Sequence, residues 1–465
     1  MEKLIRAVLA LAAAWGLAIF LCRCWLVVGL RYQLEYGEGQ IIGLAYWLKH
    51  GLPIYSPNPN PPWAFGFHFP LYIWLLSVLM GPTPSFFEGR LLSSLGMVVV
   101  LIGSFAWLWR RGGPISALAG LAFITLHPIL LGWGPLERVD NPAFCFSVLA
   151  ILTSEIPVLS GLFCLLSLFC KQSYIAAPLA IGLSRPFKKG LAFLVGYGSV
   201  ALLLAWTLSQ TAFPGMLSMH SKLTTDPGSA LTLWLTFAPT VALLAGLAWL
   251  VPGDIGGVTV LRRYAFTSLL PVLAALKQGA YYNYFMEIHW CLSMLAALSL
   301  ARPNRLRRAL AAAQLVVGSI SHFPIFESPL AHWRYETAPW LMGREPAWIR
   351  HMREYDQLGE ILDKNPGPVL AEQCGNPLVF GKESIVCDCF ALFFDQARAG
   401  FNLEPLLEMV RQRKIAVILL QRLDESNLRV PPAAIQLILE NYDVVGYTGR
   451  GGDYILLPKP AGPSL

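Results

Sequence analysis

The chain has 465 residues, of which 55% are hydrophobic and only 14% charged, with a formal net charge of +7 and a mean hydropathy of +0.53. A soluble globular protein carries about 25% charged residues, so this composition excludes one. Nor does the positive balance signal nucleic acid, because the basic residues sit in short clusters between apolar runs, as in the cytoplasmic loops of membrane proteins.

The first run, "MEKLIRAVLALAAAWGLAIFLCRCWLVVGL", has an apolar stretch too long for a signal-peptide core and no small-residue cleavage site, so it reads as a retained helix. Apolar runs of roughly 17–25 residues then recur over the first two-thirds of the chain. Five basic clusters separate them: Lys3/Arg6, Arg110/Arg111, Arg185/Lys188/Lys189, Arg262/Arg263 and Arg302/Arg305/Arg307/Arg308. Placing all five in the cytoplasm predicts spans at 7–30, 89–109, 114–131, 141–154, 157–170, 173–184, 190–208, 229–251, 264–277, 289–301 and 309–326. The expectation is a polytopic α-helical membrane protein of about eleven transmembrane helices, with its N-terminus inside and its C-terminal part outside. The loops 31–88, 132–140, 171–172, 209–228 and 278–288 then all face outward. Pro70–Met80 rises only ~16 Å as a helix and reads as juxtamembrane or re-entrant.

Composition changes sharply near residue 327. The domain reading is therefore a membrane domain over 1–326, with 31–88 as its first outer loop, and a small soluble α/β domain over 327–465 on the outer side. There "GPVLAEQ" and "KIAVILLQ" read as buried strands, and "LEPLLEMVRQRK" and "PPAAIQLILENY" as amphipathic helices. "VVGYTGRGGDYILLP" reads as a closing hairpin. Of nine cysteines, six lie in or beside apolar runs as small hydrophobes. In an oxidising compartment Cys374 can pair with Cys387 or Cys389.

The outward loops hold most of the unusual polar residues. The first carries Glu35, Glu38, His68 and Tyr72. "GWGPLERVDNP" carries Arg138 and Asp140, and "FCKQSY" carries Lys171 and Gln172. The fourth has His220, Lys222 and Asp226, and "LKQGAYYNYFMEIHW" has Lys277, Asn283, Glu287 and His289. Ionisable groups at membrane depth are costly, so such a gathering on one face is a functional-site hypothesis. Carboxylates suited to act as bases lie on the same side as isolated cations suited to a phosphate. Each residue also has an ordinary reading. Glu35 and Glu38 suit a helix N-terminus, Asp140 suits an N-cap before Asn-Pro, Arg138 can snorkel to headgroups, and a lone His68 is satisfied locally. Glu287 and His289, two apart, share no helix face.

The acid after the first run, then "AYWLKHGLPIY" and "FHFPLY", resembles the first outer loop of the C-fold (GT-C) membrane glycosyltransferases, which include the protein O-mannosyltransferases and the lipid A aminoarabinose transferase. "LERVDNPAFCFSVLAI" resembles their second acidic loop, and "FCKQSYIAAPLA" and "YYNYFMEIHWCLSMLA" resemble recurring segments of bacterial members. The resemblance implies inverting transfer of a sugar from a polyprenyl phosphate, with the acceptor, a protein, glycolipid or polysaccharide, left open; the outward C-terminal domain and compact size point to a bacterial plasma membrane. It places the base at Glu38, with Glu35 as a second acid, because Gly37 stands where many members have another carboxylate. It makes Asp140 the second-loop acid, which in relatives helps to place a divalent metal ion or the acceptor. Arg138, Lys171 and Lys277 become candidates for the leaving phosphate, with Gln172, His68, Tyr72, Asn283 and Glu287 around the substrates. The alternatives are a flippase or transporter of a lipid-linked saccharide, or a relative that only binds one. Transport predicts internal repeats, and the sequence contains none.

Overall fold

The computed structural model describes residues 2–55, 61–218, 225–277, 279–324, 326–396, 402–427, 429–448 and 452–460; His220 and Lys222 lie outside them. Helices occupy part of each of the eleven predicted intervals. Among the described residues, five are long and apolar enough to cross a bilayer: Lys3–Val28, Phe87–Thr125, Phe187–Gln210, Pro227–Trp249 and Val258–Leu276. Others, such as Asp140–Leu152 and Pro157–Cys170, are shorter.

The 39-residue stretch Phe87–Thr125 is not one rod. At Gly113 the backbone leaves helical geometry with φ 76°, and Pro114 follows. Along a straight helix, residues 108 and 120 would stand ~18 Å apart. Here a Cβ on Gly120 would lie 2.2 Å from Leu108 Cδ1, so the chain doubles back. The positive φ is one that glycine alone adopts freely, which fixes where the reversal falls beside Arg110 and Arg111.

Contacts divide the chain into two compact units. The first comprises Met1–Gly29, Arg90–Leu204 and Thr224–Glu345. With hydrocarbon around helices there is no hydrophobic difference to drive their association, so small residues and hydrogen bonds take over. A Cβ on Gly16 would meet Thr125 Oγ1 at 2.3 Å. Trp290 Nε1 donates to Ser104 Oγ at 2.8 Å, Ser167 Oγ to Ala143 O at 2.7 Å and Thr267 Oγ1 to Ala176 O at 2.9 Å. Asp226 caps the helix Pro227–Trp249 by accepting from Ser229 N at 3.0 Å.

The second unit comprises Leu30–Gly89, Ala205–Leu223 and Pro346–Leu465. This division differs from a boundary at 326/327 with 31–88 counted in the membrane domain. Its sheet runs β1 (Val369–Ala371), β2 (Val417–Leu420), β3 (Tyr442–Tyr447) and β4 (Tyr454–Pro458), in the spatial order β1-β2-β4-β3. β1 and β2 are parallel and the other pairs antiparallel. The expected helices appear as Glu404–Arg411 and Pro432–Asn441; the expected glycine-rich turn between β3 and β4 falls partly outside the described residues. Trp63 and Phe65 from the first loop complete this core beside Leu370, Ile418 and Leu456, and Trp63 N donates to Ile385 O at 2.9 Å. That aromatic loop segment is therefore part of the core. Leu71–Leu79 forms the expected short helix. Cys374, Cys387 and Cys389 are buried free thiols, so the disulfide is not formed. Cys374 instead donates to Cys387 O at 3.0 Å.

A fully buried carboxyl, Asp453, sits just before β4, near Glu372, Asn376, Tyr355 and Arg429. Burial first, and then Glu372, push its pKa up to about 7. In the unfolded chain it titrates near ~3.9. The folded form thus binds the proton more tightly, and this group's stabilisation is complete below that value. It drains away as pH rises through 7. Asp453→Asn should therefore melt higher than the parent protein at pH 8 and nearly with it at pH 3.5, measured by thermal unfolding of the full chain in detergent.

Candidate active site

In the first unit, three sequence-distant segments meet at Asp140. It is the first residue of the helix Asp140–Leu152, whose N-cap is Val139 with no side-chain cap, so Asp140 is not the N-cap its sequence context allowed. Its carboxylate faces sideways. Oδ1 accepts from Lys171 Nζ at 2.6 Å and from Asn283 Nδ2 at 2.8 Å, and Arg138 Nε lies 3.9 Å from Oδ2. The Asp140, Lys171 and Arg138 side chains are 1%, 6% and 15% exposed.

Each partner is held by its own local structure. Lys171 ends the helix Pro157–Cys170 in extended geometry, and its ammonium lies 4.8 Å from the Tyr284 ring centroid. The Arg138 guanidinium lies 5.1 Å from the Trp133 ring, which stacks on Tyr281. Such cation–aromatic contacts offset part of the cost of removing a cation from water. Asn283 belongs to the single turn Tyr282–Phe285. Asn141 Nδ2 bonds Trp133 O at 3.0 Å and Leu136 O at 2.8 Å, which fixes the loop carrying Arg138. Of these three ionic groups two are cations and one an anion, so the immediate cluster has one positive charge in excess.

Glu287 Oε1 accepts from Ser147 Oγ at 2.6 Å and Tyr264 Oη at 2.7 Å, a second buried network that sequence reading did not anticipate. His289 instead stacks on His127 with centroids 3.8 Å apart. Gln172 is exposed, and Lys277 is half-buried beside Thr225 in a backbone bridge.

In the second unit, Glu35 and Glu38 build a reciprocal capping box at the start of the helix Tyr36–Lys49. Glu35 Oε2 accepts from Gly37 N at 2.9 Å. Glu38 Oε2 accepts from Leu34 N at 2.8 Å and Glu35 N at 3.4 Å, and Glu38 is fully buried. Each acid satisfies amides that the helix leaves open. Gln33 seats the same turn, with its N donating to Asn376 Oδ1 at 3.1 Å and its Oε1 accepting from Gly375 N at 3.0 Å. Tyr36 Oη donates to Asp388 at 2.6 Å. Tyr72 Oη donates to Gly89 O at 2.9 Å, and His68 is half-buried with its carbonyl accepting from Tyr55.

A divalent ion does not fit the Asp140 donor set. One carboxylate oxygen is taken by an ammonium and an amide, and a guanidinium flanks the other. Among the described residues no three His, Cys, Asp or Glu side chains gather as metal ligands.

By sequence, no protein-family model and no curated protein matches the chain. Among solved structures it is similar to ArnT from Cupriavidus metallidurans, the lipid A aminoarabinose transferase. The form bound to undecaprenyl phosphate matches with a TM-score of 0.60 at 11% identity, and the apo form with 0.61 at 12%; each match covers 97% of this chain and 98% of the other. The apo oligosaccharyltransferase of Archaeoglobus fulgidus matches with a TM-score of 0.51 at 13% identity, covering 99% of this chain and 74% of that one. The chain is an integral membrane protein with the GT-C fold of membrane glycosyltransferases.

Removing one member of a buried ion pair strands the other, at a cost of about 3–5 kcal/mol. Lys171→Met should lower the stability of the first unit by that order in detergent unfolding experiments. Adding Asp140→Asn to the same chain should recover most of it.

Proposed function

We propose that this protein is a glycosyltransferase that moves a sugar from a polyprenyl-phosphate carrier to a protein, glycolipid or polysaccharide acceptor. The reading extends to an outward-facing site in a bacterial plasma membrane, with eleven spans and a cytoplasmic N-terminus. The observation that carries it is the buried meeting of Lys171, Arg138 and Asn283 on Asp140. It occurs on a fold shared with an enzyme solved holding undecaprenyl phosphate.

In the reaction an acceptor hydroxyl or amine attacks the anomeric carbon. The bond from that carbon to the phosphate oxygen breaks, its electron pair leaves with the phosphate, and the acceptor's proton passes to a carboxylate. Lys171 and Arg138 face the charge that develops on the leaving phosphate, an effect often larger than proton transfer. Asp140 is then a positioning residue, holding the ammonium and the Asn283 amide in place. An inverting displacement keeps base and leaving group on opposite faces of the sugar; in hydrolases of this geometry the paired groups stand roughly 6.5–9.5 Å apart. A carboxylate 2.6 Å from the phosphate-binding ammonium is too near the leaving side to act as base. That role is assigned to Glu38, with Glu35 beside it, while Gln172, Lys277, His68, Tyr72 and Glu287 are candidates for sugar and acceptor contacts. No step passes through a metal.

The capping box supports a second reading, a protein that binds a lipid-linked sugar without transferring it, since it gives both acids a structural occupation. Glutamine serves as well as glutamate at that helix position, so Glu38→Gln separates the two. Incubated with candidate protein, glycolipid and polysaccharide acceptors, purified protein should release undecaprenyl phosphate from at least one radiolabelled undecaprenyl-phosphate sugar as the sugar passes to the acceptor. Glu38→Gln should slow release by about 10²–10⁴-fold with its melting temperature kept. Absence of release from every donor would sink the transferase.

A further inference from the structure

Tyr174 is 5% exposed, and its hydroxyl has no hydrogen-bond partner among the described residues. A phenol buried without a partner loses about 1–3 kcal/mol against one that is satisfied, and phenylalanine would fill the same space without that loss. The position therefore keeps an oxygen for something the described residues do not supply.

Its surroundings indicate what. Tyr174 N donates to Lys171 O at 3.1 Å, so one tight turn carries both the ammonium bound to Asp140 and this phenol. The electrostatic neighbours of the phenol are Asp140, Glu287, Tyr284 and Cys170. Both donors on Glu287 Oε1 are already in place. Asp140 Oδ2, by contrast, is a buried acceptor that has no hydrogen bond among the described residues, with Arg138 Nε 3.9 Å away. An unmatched donor and an unmatched acceptor thus border one cationic cluster without bonding each other. A glycosyl phosphate answers both, since its phosphate oxygens only accept and its sugar hydroxyls can donate.

We propose that Tyr174 is a further ligand-binding residue of this site, its hydroxyl donating to a phosphate oxygen of the polyprenyl-phosphate carrier while a sugar hydroxyl donates to Asp140 Oδ2. The inference rests on the function proposed above and adds to it a residue two positions beyond Gln172 that the sequence reading passed over.

Tyr174→Phe removes the oxygen and leaves the ring, so the test reads stability and binding separately. Thermal unfolding and titration in detergent use undecaprenyl phosphate, with undecaprenol as the phosphate-free control. The unliganded variant should melt at or above the parent temperature, and its affinity for undecaprenyl phosphate should fall about 10- to 100-fold. A variant that melts lower without ligand has lost an internal hydrogen bond, and one that binds undecaprenyl phosphate as the parent does has lost only a contact with a structural water. Either result overturns the proposal and leaves the transferase reading standing. If the parent protein fails to distinguish undecaprenyl phosphate from undecaprenol, the phosphate site itself falls, and Tyr174's role with it.

Discussion

The cost of holding charge away from water governs this molecule. A carboxylate taken from water into an apolar interior is tolerable only when donors surround it. Asp140 meets that condition with an ammonium, an amide and a nearby guanidinium, drawn from residues 171, 283 and 138. Satisfying one anion therefore joins three segments of the first unit. The cations in turn rest on aromatic faces, Lys171 on Tyr284 and Arg138 on Trp133. The same rule shapes the second unit, where Glu372 accepts from Arg429 at 2.8 Å and from Asn427 at 3.0 Å. The Arg429 guanidinium lies 4.1 Å from the Tyr36 ring.

A second consequence concerns the first outer loop. A helix that begins inside a protein must satisfy its first amides without water. Glu35 and Glu38 do this for the helix Tyr36–Lys49, while Gln33 and Tyr36 tie the same turn to Asn376, Gly375 and Asp388. The loop acids thus stand in a frame fixed by the C-terminal sheet region. That frame holds both carboxylates in one place, the fixed position that the proposed base requires. It also explains why an acid pair here is informative about folding before it is informative about chemistry.

Much of this was legible beforehand. Apolar runs and basic clusters located helices in every predicted interval, and period-two and period-3.6 patterns located both strands and helices of the C-terminal region. Arg138, Asp140, Lys171 and Asn283 stood out because polar side chains within apolar sequence are conspicuous. Other features left no such mark. Tyr174, Tyr264 and Ser147 read as ordinary members of apolar runs, since hydroxyls are common there and only their neighbours give them meaning. Glu287 and His289, two apart, face different groups as their spacing implies, but only the fold shows which: Tyr264 and Ser147 for one and His127 for the other. Whether Cys374 pairs was left open by the sequence, because two sulfurs bond only where the fold brings them together in the right geometry; here all three thiols are free.

Local order of residues determined what is local: an integral membrane chain, where its helices begin, the capping acids at Glu35 and Glu38, the reversal marked by Gly113-Pro114. These follow from backbone sterics and from hydrophobicity, which act over a few neighbours. Tertiary structure decided which distant groups share a desolvated space. It brought Lys171 and Asn283 to Asp140, put Trp63 and Phe65 into the core of the C-terminal sheet, and left the Tyr174 hydroxyl without a partner among the described residues. Burial and hydrogen bonding are properties of what surrounds an atom, and for these residues the surroundings come from parts of the chain far away in sequence.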